Sequence, residues 1–151
     1  CPQPSDAQGQ VLLNMETLWQ QAYPSECVIV RPTGIYGTSV TRMIKLTETT
    51  KSYPKLHWSN RIHIDDLVAF LAHLLHVEHT EKSYICSNSQ PLPLHEIIQW
   101  FQQQLGLPVF ILESDVPSGK QIYASRMQQM NFELQHSHCF DDYLALLEER
   151  E

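Results

Sequence analysis

The chain of 151 residues is predicted to fold as α/β, with buried parallel strands covered by helices. Three observations carry the prediction. Val28-Ile29-Val30 is a β-branched run without polar alternation, the pattern of a strand covered on both faces of a parallel sheet. On either side of it, apolar residues recur at helical steps of three and four: Val11, Met15, Leu18, Trp19 and Ala22 before it, then Leu67, Phe70, Leu71, Leu74 and Leu75 after it. Helix and strand patterns also alternate along the chain, which separates α/β from segregated architectures. The length fits one domain by the prior of roughly 100 to 200 residues each.

The elements follow in order. The first helix runs from Gly9 to Tyr23 and is ended by Pro24. The strand at Val28 to Val30 enters a tight loop that reaches Gly37, and a short helix is expected around Val40 to Leu46. Polar residues then connect to His57-Trp58. A second short strand covers Asn60 to Ile64 and feeds a helix that Asp65 or Asp66 can cap. Ser83 to Cys86 reads as a further strand. Pro93 suits a first helical position; Leu94, Ile97, Ile98, Phe101 and Leu105 face inward, and Gly106 stops that helix. Val109 to Leu112 is expected as a strand. Residues 123–130 and 140–149 have helical spacing, with Tyr143, Leu144, Leu146 and Leu147 available to close the core.

Composition excludes several function classes. Ten basic against seventeen acidic residues give a net charge of −7, which offers no field for a phosphate backbone and argues against nucleic-acid binding. The longest nearly apolar run, Leu67 to Leu75, is interrupted by His73 and is far shorter than the roughly 20 residues that cross a bilayer. The first residues lack a basic start and an apolar stretch, so the expected compartment is cytoplasmic. Cys1, Cys27, Cys86 and Cys139 have no paired spacing and are expected to be reduced, mostly buried thiols. His73, His76 and His79 share a helix, but no carboxylate or cysteine cluster completes a metal site, and none is expected.

Two phrases carry the chemistry. Val28-Ile29-Val30-Arg31-Pro32-Thr33-Gly34-Ile35-Tyr36-Gly37 is a strand running into a loop, and Asn60-Arg61-Ile62-His63-Ile64-Asp65-Asp66-Leu67 is a strand running into a helix. In this order they resemble the C-terminal portion of the extended short-chain dehydrogenase/reductases, also called the NAD-dependent epimerase/dehydratases. The resemblance covers nearly the whole chain. It implies the C-terminal half of a Rossmann-like parallel sheet with flanking helices plus a small substrate-side subdomain. Residues 1–56 and 80–90 would be sheet-associated, and 57–79 and 91–151 substrate-side. The five glycines at 9, 34, 37, 106 and 119 cannot form the glycine-rich turn that seats a pyrophosphate. The resemblance therefore implies that NAD or NADP is bound mainly by residues ahead of Cys1, with Pro32, Thr33 and Ile35 lying against its nicotinamide end.

The reaction is less legible. Catalytic members of the family use a tyrosine and, four residues later, a lysine, because a phenol with a pKa near 10 is a poor base unless a cation stands beside it. Aligning Gly9 and Glu16 with that helix places Gln8 at the tyrosine and Leu12 at the lysine. No Tyr-x-x-x-Lys occurs anywhere in the chain. Gly34 stands where sugar-nucleotide members have asparagine, and Ser59 where they often have arginine; Arg61, two residues along the strand, points to the same face. The chain is most similar to atypical extended members, in which the tyrosine and lysine are also missing.

His63 and Thr33 remain as candidate catalytic residues, and Trp58, Asn60, Arg61 and Lys120 as candidate substrate contacts, with His57 nearby. Each has a structural alternative: His63 as a hydrogen bonder beside a helix cap, Trp58 packed on the following helix, Arg61 paired or exposed, Lys120 solvated. Arg31 could pair with a carboxylate and Tyr36 could pack. Two function classes stay open, the substrate-side half of an epimerase/dehydratase-like or oxidoreductase-like enzyme acting on a small molecule, and a non-catalytic NAD(P)-binding sensor or scaffold. An unrelated small α/β domain is the third option. By the same resemblance, helix 9–23 is a candidate homodimer surface, with Met15, Leu18 and Trp19 exposed.

Overall fold

The computed structural model describes residues 3–149. Its first element, α1 (Ala7–Ala22), is capped by Asp6, whose carboxylate accepts the Gly9 N–H at 2.7 Å. No residue of α1 is buried. The helix is tied to the rest of the chain by polar links, among them the Arg31–Glu16 ion pair and a bond from Gln20 Nε2 to the Lys82 carbonyl at 3.1 Å. Val11, Leu12, Met15, Leu18 and Trp19 are all more than half exposed, so the anticipated apolar patch is present.

Strand β1 (Ile29–Pro32) pairs in parallel with β5 (Ser83–Cys86), Ile29 opposite Ser83 and Pro32 opposite Cys86. The loop after β1 is tighter in sequence than expected, because β2 (Gly34–Tyr36) follows at once. It pairs in parallel with β4 (Arg61–His63). A third, antiparallel pair joins β3 (Trp58–Ser59) to β6 (Leu92–Pro93). The helices α2 (Thr41–Thr49), α3 (Ile64–Leu74), α4 (Leu94–Gln104), α5 (Ser125–Gln129) and α6 (Cys139–Glu148) surround these short sheets.

Alternation along β4 divides the interior in two. Ile62 is fully buried in one cluster with Leu67, Phe70, Tyr84, Cys86, Ala124 and Met127. Tyr36 and Tyr143, the partners of His63 and Arg61 on the opposite face, belong to a second cluster with Val40, Ile97, Phe101 and Cys139. A strand of three residues thus presents one side chain to an apolar core and two polar ones to the other side.

Several expectations need correction. The N-cap of α3 is His63, not Asp65 or Asp66: its imidazole accepts the Asp65 N–H at 3.2 Å, and the two aspartates fill the first turn, where negative charge suits the helix dipole. Pro93 stands one residue outside α4, extended at φ −62° and ψ 132°, because the first helical residue, Leu94, must donate its N–H to the His57 carbonyl at 2.8 Å. Val109 to Leu112 is not a strand, and only Leu112 makes an isolated bridge, to Tyr53. Side-chain amides of α4 occupy this backbone instead, Gln102 accepting the Phe110 N–H and Gln99 donating to the Phe110 carbonyl, each at 3.1 Å. Leu71, Leu75, Leu105 and Leu144 are exposed rather than inward; in α3 the covered stripe is Leu67, Phe70 and Leu74. Cys27, Cys86 and Cys139 are free thiols, the last two buried, and Cys1 lies outside the described residues. No helix among the described residues is long and apolar enough to cross a membrane.

Candidate functional site

Where β2 and β4 run side by side, their outer face opens into a cleft of about 260 Å³. Ile35, Met43, Leu46 and Leu94 supply its apolar walls, Ser39 and Arg42 are among its polar groups, and Arg61 lines it beside Tyr143. No acidic residue contributes to the lining. Arg61 is only 8% exposed. Its Nε donates to the Tyr143 hydroxyl at 3.0 Å and its Nη1 to the Ser59 hydroxyl at 3.0 Å. Among the described residues no carboxylate reaches ion-pairing distance of it. Hydroxyls satisfy two of the guanidinium donors without balancing its charge, and a buried charge is costly unless it is paired. An oxyanion entering the cleft would complete the arrangement with the donors that remain. Burial raises the Tyr143 phenol above its ordinary value, with Arg61 opposing, so it stays a neutral hydroxyl.

The loop joining β1 to β2 lies next to this cleft. Pro32, Gly34 and Ile35 are exposed, Ile35 by 52%. Thr33 is committed to structure, since its N–H and its hydroxyl both donate to the Cys86 carbonyl, at 2.9 and 3.1 Å. The described residues offer no glycine-rich cradle for a pyrophosphate.

Behind the loop, His63 is 5% exposed. Because Nδ1 accepts the cap bond, Nε2 carries the proton, and it faces Gly37 so closely that a Cβ built there would lie 2.2 Å from it. Burial first, and then the neighbouring His136, hold the His63 imidazole below its usual pKa. Tyr36 packs edge-on to it with ring centroids 5.1 Å apart, and burial followed by a hydrogen bond to Asp142 pushes the Tyr36 phenol well above its ordinary range. Potential ligand atoms of His63, Asp65 and His136 lie within 4.8 Å of one another. The two rings are nearly parallel, at 12°, so their in-plane lone pairs cannot converge on one ion, and we assign no metal centre there.

The cleft thus gathers Ile35, Asn60 and Arg61 from the expected residues. The Asn60 amide is spoken for: it donates to the Lys120 carbonyl at 2.8 Å and accepts the Ile122 N–H at 2.8 Å. Trp58 and Lys120 lie outside the cleft lining; Trp58 pairs with Pro93, and the Lys120 side chain is exposed. Arg31 pairs with Glu16 and Tyr36 is buried, as the structural alternatives anticipated. Sequence reasoning missed Tyr143, His136 and Asp142 as polar partners of the site.

No protein-family model matches the chain, and no curated protein does. Solved structures do. A candidate NAD-dependent epimerase/dehydratase from Methylobacillus flagellatus matches all of this chain over 56% of its own, at 31% identity and a TM-score of 0.85. The dTDP-glucose 4,6-dehydratase of Bacillus anthracis, solved with NAD, matches all of this chain over 54% of its own, at 16% identity and a TM-score of 0.69. The UDP-glucuronic acid 4-epimerase of Bacillus cereus, solved with UDP-glucuronic acid and NAD, gives 14% identity, a TM-score of 0.70 and 55% of its own length. The fold defines a class, the Rossmann-like α/β proteins. Within it, this chain has the structure of the C-terminal portion of the NAD-dependent epimerase/dehydratase family, the extended short-chain dehydrogenase/reductases, and spans little more than half the length of the members it matches.

Proposed function

We propose that the chain is the substrate-side half of an NAD(P)-dependent epimerase/dehydratase-like or oxidoreductase-like protein, and that its cleft takes a small substrate bearing an oxyanion. The observation that carries this reading is Arg61, a buried guanidinium with hydroxyl partners and no carboxylate beside it among the described residues, lining a cleft to which none of them adds an acidic group. Ile35, Met43, Leu46 and Leu94 would hold the apolar part of that substrate. Pro32 and Ile35 would lie against the nicotinamide end of NAD or NADP, which when bound supplies hydride transfer. Proton handling in turnover is assigned to His63, which is 5% exposed, ahead of Thr33, whose hydroxyl would first have to leave the Cys86 carbonyl.

The second reading, a non-catalytic NAD(P)-binding sensor or scaffold, is favoured by the absence of Tyr-x-x-x-Lys from the sequence. Titrating the intact protein with NADH and with NADPH, followed by nicotinamide fluorescence, tests the common ground of both. Saturable binding of one of them is expected, and binding of neither would sink both readings. Turnover of the bound cofactor with a carboxylate or phosphate substrate then favours the enzyme.

We also assign α1 to pairing between two copies of the chain, through Met15, Leu18 and Trp19. Light scattering should give a mass of two chains. A monomer over a wide concentration range would refute the assignment.

A further inference from the structure

Outside the cleft, the C-terminal segment is fastened to β4 and α3 by a group of ionisable side chains. The His136 imidazole stacks on that of His63, with centroids 3.6 Å apart and planes at 12°. His136 Nδ1 donates to Asp142 Oδ1 at 2.6 Å, and the other oxygen of Asp142 accepts the Tyr36 hydroxyl at 2.6 Å. Asp66, 2% exposed, accepts the backbone N–H groups of Gln135 and His136 at 2.8 and 3.0 Å. Asp65 Oδ2 stands 3.7 Å from His63 Nδ1 and 3.9 Å from His136 Nε2. The groups facing the stack are therefore Tyr36 from β2, Asp65 and Asp66 from α3, and Asp142 from α6, with the Cys139 thiol behind Tyr36.

We propose that the His63–His136 stack holds one proton at a time and acts as an acid-released latch: singly protonated, it pins the segment 134–138 against β4 and α3, and a second proton drives the rings apart and loosens that segment, while α6 stays docked through Cys139 and Tyr143. Two imidazolium rings at 3.6 Å would place like charges face to face, partly shielded from water. One imidazolium stacked on a neutral ring is an attractive arrangement, and Asp142 selects which ring is charged.

The consequence reaches the cleft through neighbouring residues of α6. Asp142 anchors the Tyr36 hydroxyl and Tyr143 anchors the Arg61 guanidinium, and both tyrosines line the cleft. Loss of the His136–Asp142 bond would loosen the anchor of Tyr36, which lines the cleft. The latch itself stands whatever occupies the cleft.

The pH window follows from the two shifts. The bond to Asp142 raises the His136 pKa above 6.5, so its contribution to stability is full below 6.5 and is lost as pH rises through the raised value. Burial, then the charge of His136, lowers the His63 pKa below 6.5; its contribution is full above 6.5 and is lost as pH falls through the lowered value. The latch is tightest between the two.

Amide hydrogen exchange at residues 135 and 136 of the intact protein, followed from about pH 5 to about pH 8 and corrected for intrinsic exchange, tests the proposal. Protection should be greatest mid-range and fall on the acid side by up to about tenfold per pH unit, the limit for one linked proton. His136→Gln removes one ring, and His63→Asn removes the second proton site while keeping a good N-cap acceptor; each should abolish the acid fall. A flat wild-type profile, or an acid fall that survives in the variants, would overturn the latch.

Discussion

Gly37→Ala should destabilise the protein by about 3–5 kcal/mol, more than any other single methyl group added to the site. Two independent costs add. Gly37 has φ +113°, a conformation in which a side chain is strained. The new Cβ would also meet His63 Nε2 at 2.2 Å and the ring carbons Cδ2 and Cε1 at 2.5 and 2.7 Å. That ring cannot simply rotate away, because Nδ1 caps α3 and the ring face stacks on His136. Moving it forfeits a cap worth about 1 kcal/mol and opens the latch. The measurement is the denaturation midpoint, and the expected fall in melting temperature is on the order of 10 °C. Adding His63→Asn should restore part of the loss, since the shorter side chain withdraws from the new methyl group while still accepting the Asp65 N–H. A loss below about 1 kcal/mol would contradict this packing.

The same corner shows what could and could not be read in advance. Val28-Ile29-Val30 was legible as strand from its unbroken β-branched run, but β1 is Ile29–Pro32 and only half-buried, not covered on both faces as the run suggested, because its sheet has two strands and α1 buries no residue. The helices α3 and α4 were legible because Leu67, Phe70 and Leu74, and Ile97, Ile98 and Phe101, repeat at the period that buries one stripe. Strands of two or three residues have no room to display a period: β4 was read as a short strand, but β2 was expected as part of the loop that reaches Gly37. Asp65 and Asp66 carried the usual signal of an N-cap, yet His63 holds that position, and Asp66 is turned inward to bind the backbone at 135 and 136. His136 and Asp142 gave no local signal at all. Their partners, His63 and Tyr36, come from strands far away in sequence, so the cluster exists only once α6 has docked. Arg61 was visible as a candidate, but that no carboxylate among the described residues pairs with it, and that Asn60 is engaged elsewhere, required coordinates.

The central claim is that Arg61 receives the charge of an anionic substrate, and the most direct measurement is calorimetric titration of the intact protein with inorganic phosphate, wild type against Arg61→Met. Methionine keeps most of the apolar stem and cannot donate, so the Tyr143 and Ser59 hydroxyls can turn to each other or to water. Hydrogen bonds to a charged partner contribute about 1.5–3 kcal/mol, which corresponds to a weakening of roughly 10- to 100-fold. Arg61→Lys should fall between the two, because a single ammonium replaces the charge but not the planar fork. Phosphate binding by the wild type that is lost or weakened to this extent in Arg61→Met is the predicted result; equal affinity in both proteins, or no binding by the wild type, would contradict the account.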